Sequence, residues 1–194
     1  RDDQINDLEL LIDEEASLLI AKRSPAAGDL RNIMMMLKII TDLERVGDEA
    51  EKIARLSLKL NYENIDPAFL KSLEHLGNST SELLHSSIDA YARKSVEQAL
   101  EVIQDDKKID LEFKSCMRQL ITYIVKIEDD KVVKNFLDIS TCAKSIERIG
   151  DHAKNIAQHT VYLRKMNVCK RDTHVLASLE QYAFYLEPTH KKDN

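Results

Sequence analysis

A short acidic motif occurs twice in the chain and is its strongest sign of chemistry. Residues 43–54 read LERVGDEAEKIA and residues 146–157 read IERIGDHAKNIA, an offset of 103 residues at which seven of the twelve positions are identical. Each copy holds a glutamate and an aspartate four positions apart: Glu44 with Asp48, and Glu147 with Asp151. Side chains four residues apart share one face of a helix, with about 5–6 Å between their Cβ atoms. The repeat therefore predicts two helices that each present a pair of carboxylates.

A carboxylate pair of this kind can bind a metal ion. Hard oxygen ligands suit Mg²⁺ and Mn²⁺, and carboxylates also bind Fe and Zn²⁺. One pair supplies too few oxygens for an octahedral ion, so a neighbouring helix must contribute more. Asp106 and Asp110, again four apart, are expected to do so in the second copy, and their first-copy equivalents are Asp2 and Asn6. The predicted metal ligands are Glu44, Asp48 and Asp2 in the first copy, and Glu147, Asp151, Asp106 and Asp110 in the second.

A purely structural interpretation of the motif stays open beside metal binding. Arg45 and Arg148, which follow the two glutamates, could neutralise the carboxylates in an ion network across the helix groove. Gly47 and Gly150 would then simply allow neighbouring helices to pack closely.

A catalytic role is disfavoured by the sequence. A di-iron oxidase requires Glu-x-x-His on two helices of a bundle, and the candidates are residues 82–85 and residues 187–190, of which the second contains a proline. There is no glycine-rich phosphate loop, no H-E-x-x-H and no nucleophile elbow. His152 and His159 lie seven residues apart and could share a helix face, where packing is favoured over metal ligation. The sequence predicts a binding protein rather than an enzyme.

Composition predicts an all-α protein. The 194 residues include only four Gly and three Pro, on which strands and tight turns depend, and the 32% of charged residues suits amphipathic helices. The net charge of −6 disfavours nucleic acid and anionic membranes as partners, and no apolar run approaches the roughly 20 residues that span a bilayer. Cys116, Cys142 and Cys169 lack a C-x-x-C spacing, which predicts free thiols and a cytoplasmic location.

Apolar residues at helical spacing predict five long helices. Their expected ranges are 5–22, 28–60, 68–104, 105–126 and 129–165, with Asp66 as the N-cap of the third helix and Pro67 at its first position. Because the repeat extends into the preceding helices, the expected fold is two tandem pseudo-symmetric three-helix bundles, with the first helix of the first bundle upstream of this sequence. The predicted domains are a partial bundle at 1–62, a second bundle at 67–165 and a tail at 166–194, with a possible short helix at 175–185.

The duplicated segments resemble the PhoU family. The resemblance rests on D-L-E-R-V-G-D at residues 42–48 and S-I-E-R-I-G-D at residues 145–151. It extends to Ile12-Asp13-Glu14-Glu15, to Pro25 followed by Asp29-Leu30-Arg31, and to Arg118-Gln119-Leu120, and it covers about residues 1–165. It implies a pair of three-helix bundles, often dimeric, with multinuclear metal sites at the acidic positions named above.

For function, the resemblance implies negative regulation of phosphate uptake and of phosphate-starvation signalling. A cytoplasmic, metal-binding homodimer would link the ATPase subunit of a phosphate ABC transporter to a membrane sensor histidine kinase, without nucleic acid and without insertion into the membrane. A second interpretation is a PhoU-like regulatory domain of a sodium–phosphate cotransporter. Transmembrane spans upstream of residue 1 would favour that interpretation.

Overall fold

Five α-helices form the described part of the computed structural model, which comprises residues 2–60, 65–125 and 129–167. The helices are α1 (Asp2–Arg23), α2 (Ala27–Ser57), α3 (Pro67–Arg93), α4 (Val96–Ile124) and α5 (Asp130–Asn167). No strand occurs within these residues, and the prediction of an all-α fold is confirmed. The possible short helix at 175–185 and Cys169 lie outside the described residues.

The start of α3 follows the sequence prediction closely. The Asp66 carboxylate accepts a hydrogen bond from the backbone N–H of Ala68 at 2.8 Å, and Pro67 occupies the first helical position. The other oxygen of Asp66 accepts a 2.6 Å hydrogen bond from the Tyr123 hydroxyl near the end of α4. One capping residue therefore both begins α3 and ties it to its neighbour.

The predicted boundary between the third and fourth helices is wrong. The sequence suggested a helix to residue 104 and a new start at residue 105, but α3 ends at Arg93 and α4 begins at Val96. Lys94 adopts a left-handed conformation with φ 54°, and the Ser95 hydroxyl accepts a hydrogen bond from the N–H of Gln98 at 3.2 Å. Ser-x-x-Gln before an apolar run is an N-terminal capping pattern, so the signal was present in the sequence. Asp106 consequently lies inside α4, not at its start.

The helices pack in two unequal groups joined by α2 and α5. Helices α3, α4 and α5 all contact one another, whereas α1 contacts only α2 among the five helices described. The largest fully buried apolar side chains belong to the α3–α5 bundle: Phe69, Leu76, Val102, Phe136, Ile139, Ile156 and Val161. Helix α1 has one fully buried apolar residue, Ala16, and it exposes several leucines, including Leu8 and Leu11. No described helix is long and apolar enough to cross a bilayer.

Replacement of Ser95 by alanine tests the helix boundary. Ser95→Ala removes the acceptor for the Gln98 N–H, so we expect the free energy of unfolding to fall by about 1 kcal/mol, as measured by urea denaturation. Ser115→Ala is the matched control, because Ser115 is exposed within α4. Equal stability of the two variants would contradict the assigned cap.

Candidate functional site

In the second copy of the motif, an aspartate of α4 is paired with a lysine of α5. The Asp106 side chain is buried, with 2% of the residue exposed, and its Oδ2 lies 2.5 Å from Nζ of Lys154. Gly150 of α5 lies against the same place, where an added Cβ would be 3.9 Å from Asp106 Oδ1 and 3.4 Å from Cγ2 of Ile109. These are ordinary van der Waals distances, so the packing at this place would also accommodate a Cβ atom.

The electrostatics of this pair show an excess of negative charge. Burial raises the pKa of Asp106, and the nearby charges of Asp110 and Asp151 raise it further against the opposing effect of Lys154. For Lys154, burial alone lowers the pKa, but the Asp106 hydrogen bond and the charges of Asp106, Asp151 and Asp110 outweigh it and leave the pKa raised. The charges of Asp110 and Asp151, two further predicted ligands, therefore act on both Asp106 and its lysine partner.

The remaining predicted ligand of the second copy has a different partner. The Glu147 carboxylate forms a 2.7 Å ion pair with the ammonium group of Lys144, which lies one turn earlier on α5. Nζ of Lys144 also lies 5.3 Å from the centre of the Phe113 ring on α4, which is within the range of a cation–π interaction. Within residues 2–60, 65–125 and 129–167, no three aspartate, glutamate, histidine or cysteine side chains are arranged so that they could share a metal ion as they stand.

The first copy has a different set of neighbours. Glu44 is half-buried and Asp48 is exposed on α2, while the side chain of Asp2 lies outside the described residues. Asn6, the equivalent of Asp110, has a buried Oδ1 atom without a hydrogen-bond partner. The equivalent of Lys154 is Glu51, which forms a 2.6 Å ion pair with Arg55. Oxygen donors are therefore present in both copies, but the position of the second-copy lysine is occupied by a glutamate in the first.

A buried aspartate that sequence reasoning missed joins the two copies. Asp42 of α2 is only 5% exposed, and its carboxylate contacts His152 Nδ1 at 2.8 Å, Asn155 Nδ2 at 3.3 Å and His159 Nε2 at 3.5 Å, all on α5. Burial alone raises the pKa of Asp42, but the hydrogen bonds from these three side chains outweigh it and hold the pKa well below its usual range. The two histidines thus pair with a carboxylate across the interface.

Another contact across the α2–α5 interface pairs an arginine of α5 with a glutamate of α2. The Arg148 guanidinium lies 2.9 Å from Oε1 of Glu49 on α2, rather than neutralising only the carboxylates of its own motif. Burial raises the pKa of Glu49, but Ser145, Arg148 and Lys52 together bring it below its ordinary value. At the repeat offset, Ser145 is the equivalent of Asp42 and Glu49 is the equivalent of His152. Position 42 therefore faces the equivalent of position 49, and position 49 faces the equivalent of position 42, across an antiparallel α2–α5 contact.

Of the two di-iron candidate segments, the first alone lies within the described residues. Glu82 and His85 are both exposed on α3, and the second Glu-x-x-His segment at 187–190 lies outside the described residues. Part of the signal for the α2–α5 contacts was available in the repeat, because positions 49 and 152 differ in residue type although the positions on either side of them are identical.

Fold and site together define an internally duplicated helical-bundle protein that carries an acidic E-R-x-G-D motif on each of two long, paired helices. The chain matches the PhoU domain over residues 1–57 and 73–160, which includes both copies of the motif. It belongs to the PhoU family.

Curated relatives and solved structures agree with this assignment. The chain is 43% identical over 162 residues to the phosphate-specific transport system accessory protein PhoU homolog of Pseudomonas aeruginosa, covering 84% of this chain and 66% of that protein. It is 42% identical over 164 residues to the phosphate-specific transport system accessory protein PhoU of Escherichia coli, covering 84% and 67%. The chain thus spans about two thirds of the length of the relatives it matches.

The fold of crystallised PhoU proteins matches the arrangement of these helices. The P. aeruginosa PhoU structure superposes with a TM-score of 0.78 at 43% identity, covering 84% of this chain and 78% of that one. PhoU from Streptococcus pneumoniae gives a TM-score of 0.76 at 24% identity, covering 84% and 75%, which supports the fold alone. The expectation of PhoU-like helical bundles is confirmed.

Neutralisation of the buried aspartate tests the α2–α5 contact. Asp42→Asn removes a charged acceptor of three side chains, so we expect the free energy of unfolding at pH 7 to fall by about 1.5–3 kcal/mol. Because the pKa is depressed in the folded protein, the contribution of Asp42 is present above the ordinary aspartate pKa of about 3.9 and is lost as pH falls towards the folded-state pKa. Urea unfolding at a series of pH values should therefore show a weaker acid dependence in the variant.

The control for this experiment is Asp89→Asn on α3. Asp89 forms an exposed 3.4 Å ion pair with Arg93, and exposed pairs contribute little. Equal free energies of unfolding for the two variants at pH 7 would show that the Asp42 contacts stabilise the protein no more than an exposed ion pair does.

Proposed function

We propose that this chain is a non-enzymatic regulator of phosphate uptake and phosphate-starvation signalling. In this proposal it acts as a cytoplasmic homodimer that links the ATPase subunit of a phosphate ABC transporter to a membrane sensor histidine kinase, and it restrains the response when phosphate is plentiful. The observation that carries the proposal is the PhoU-domain match over both repeats, together with relatives named as accessory proteins of phosphate-specific transport.

A binding role is supported by the surfaces of the helices. Between α3 and α4 runs an open groove of about 300 Å³, whose lining includes the carboxylates of Glu82, Glu101, Asp105 and Glu112. An acidic surface of this kind suits recognition of a protein with a complementary basic surface.

Divalent metal binding is the second part of the proposal, and the first copy of the motif fits it better. Glu44 and Asp48 offer hard oxygen donors on α2, and the buried Asn6 carbonyl oxygen on α1 lacks a hydrogen-bond partner. We assign these residues, with Asp2, as the groups that would hold an ion. An ion held from α1 and α2 together would fix the position of one helix on the other, and hence the surface that a partner meets. It could alter partner binding only by favouring one of two arrangements of these helices.

Metal content of purified protein tests this assignment. We expect Glu44→Ala/Asp48→Ala to lose most of the divalent metal that the unaltered chain retains after exhaustive dialysis, as measured by inductively coupled plasma mass spectrometry. Glu97→Ala/Glu101→Ala is the matched control, because it removes two exposed carboxylates with the same spacing on α4. Unchanged metal content in the Glu44/Asp48 variant would reject the first-copy site.

Partner capture tests the regulatory role. The affinity-tagged chain should recover the transporter ATPase and the sensor kinase from bacterial lysate, with a different ratio after growth in high and in low phosphate. An unrelated helical bundle of similar net charge serves as the control for non-specific capture. Recovery of neither protein in both media would refute the adaptor role, and size-exclusion chromatography with light scattering checks the dimer on the same sample.

A further inference from the structure

The residue three positions after the motif aspartate is different in the two copies. In the second copy it is Lys154, whose ammonium group lies against Asp106. In the first copy it is Glu51, which pairs with Arg55. We propose that Lys154 is a tethered cation that takes the place of a metal ion in the second copy, so that divalent ions bind the first copy alone. The proposal rests on the metal-binding part of the proposed function.

The geometry around Asp106 leaves little room for an additional ion. Divalent ions bind carboxylate oxygens at about 2.0–2.6 Å, and Nζ of Lys154 already lies 2.5 Å from Oδ2. The Asp106 side chain is only 3% exposed, whereas that of Lys154 is 32% exposed. A metal ion that binds Asp106 must therefore first displace the lysine, because the buried carboxylate offers little other open surface.

Charge also opposes simultaneous occupation by lysine and metal. An ammonium group and a divalent ion at neighbouring positions repel each other strongly where solvent screening is weak. The Lys154 ammonium group, paired with the Asp106 carboxylate, therefore competes with a metal ion for the same oxygen.

Removal of the lysine charge should convert the second copy into a metal site. The charges of Asp110 and Asp151 act on Asp106, and without Lys154 the three carboxylates would have less compensating charge. A larger number of uncompensated carboxylates favours uptake of a divalent ion. Methionine is the suitable replacement, because it retains an unbranched side chain of similar length and carries no charge.

Mn²⁺ binding to the full chain tests the proposal. We expect Lys154→Met to bind one more Mn²⁺ per chain than the unaltered protein, as counted by electron paramagnetic resonance of free Mn²⁺ during titration. Mn²⁺ should also raise the Tm of Lys154→Met by more than it raises that of the unaltered chain. Lys108→Met is the control, since Lys108 forms an exposed 2.7 Å ion pair with Asp105 on the same helix as Asp106, and it should bind Mn²⁺ as the unaltered chain does.

A second variant keeps the test decisive if Lys154→Met fails to fold. Glu44→Ala/Asp48→Ala retains Lys154, and the proposal expects it to bind no Mn²⁺ tightly. Mn²⁺ bound to that variant and lost on the further change Asp106→Asn would overturn the proposal while leaving metal binding by the protein intact. Equal Mn²⁺ counts for the unaltered chain and folded Lys154→Met would also overturn it. A count of zero in both would in addition remove the metal part of the proposed function, without touching the phosphate role.

Discussion

A buried carboxylate at the contact between α2 and α5 is the constraint on which the rest of the structure depends. An ionised group can be withdrawn from water only if hydrogen bonds and opposite charge compensate it, and Asp42 obtains this compensation from His152, Asn155 and His159. All three lie on α5, so these contacts tie α2 to α5. Because α5 also contacts α3 and α4, they connect the first copy of the repeat to the whole second bundle.

Duplication explains why this contact exists and why the two copies have diverged. A repeated helix that packs antiparallel on its own copy places position 42 near the equivalent of position 49, and position 49 near the equivalent of position 42. If the second copy kept the aspartate and glutamate of the first, both pairs would consist of two carboxylates, which is unfavourable in a buried contact. The second copy has serine and histidine instead, so Asp42 contacts His152, and Glu49 lies beside Ser145 and Arg148. Residues of the motif that are identical in sequence therefore do not have identical surroundings.

The same divergence separates the acidic residues of the two copies. In the second bundle, a deep apolar core and the Lys154–Asp106 pair hold α4 on α5. At the repeat offset, the position of Lys154 is occupied in the first copy by Glu51, which pairs with Arg55 on its own helix instead.

The sequence by itself determined the helical class, the duplication, the start of α3 and the acidic pairs, because each depends on local spacing along the chain. It also contained the Ser95 capping pattern, but apolar residues at helical spacing predicted one continuous helix across that position. Only the tertiary structure decided that Asp42 is the shared partner of two histidines, that Arg148 reaches Glu49, and that Lys154 lies in the acidic cluster beside Asp106. These pairs join residues about 50 to 110 positions apart, and which charges meet at that separation depends on helix register and burial, which the spacing of residues within one helix does not specify.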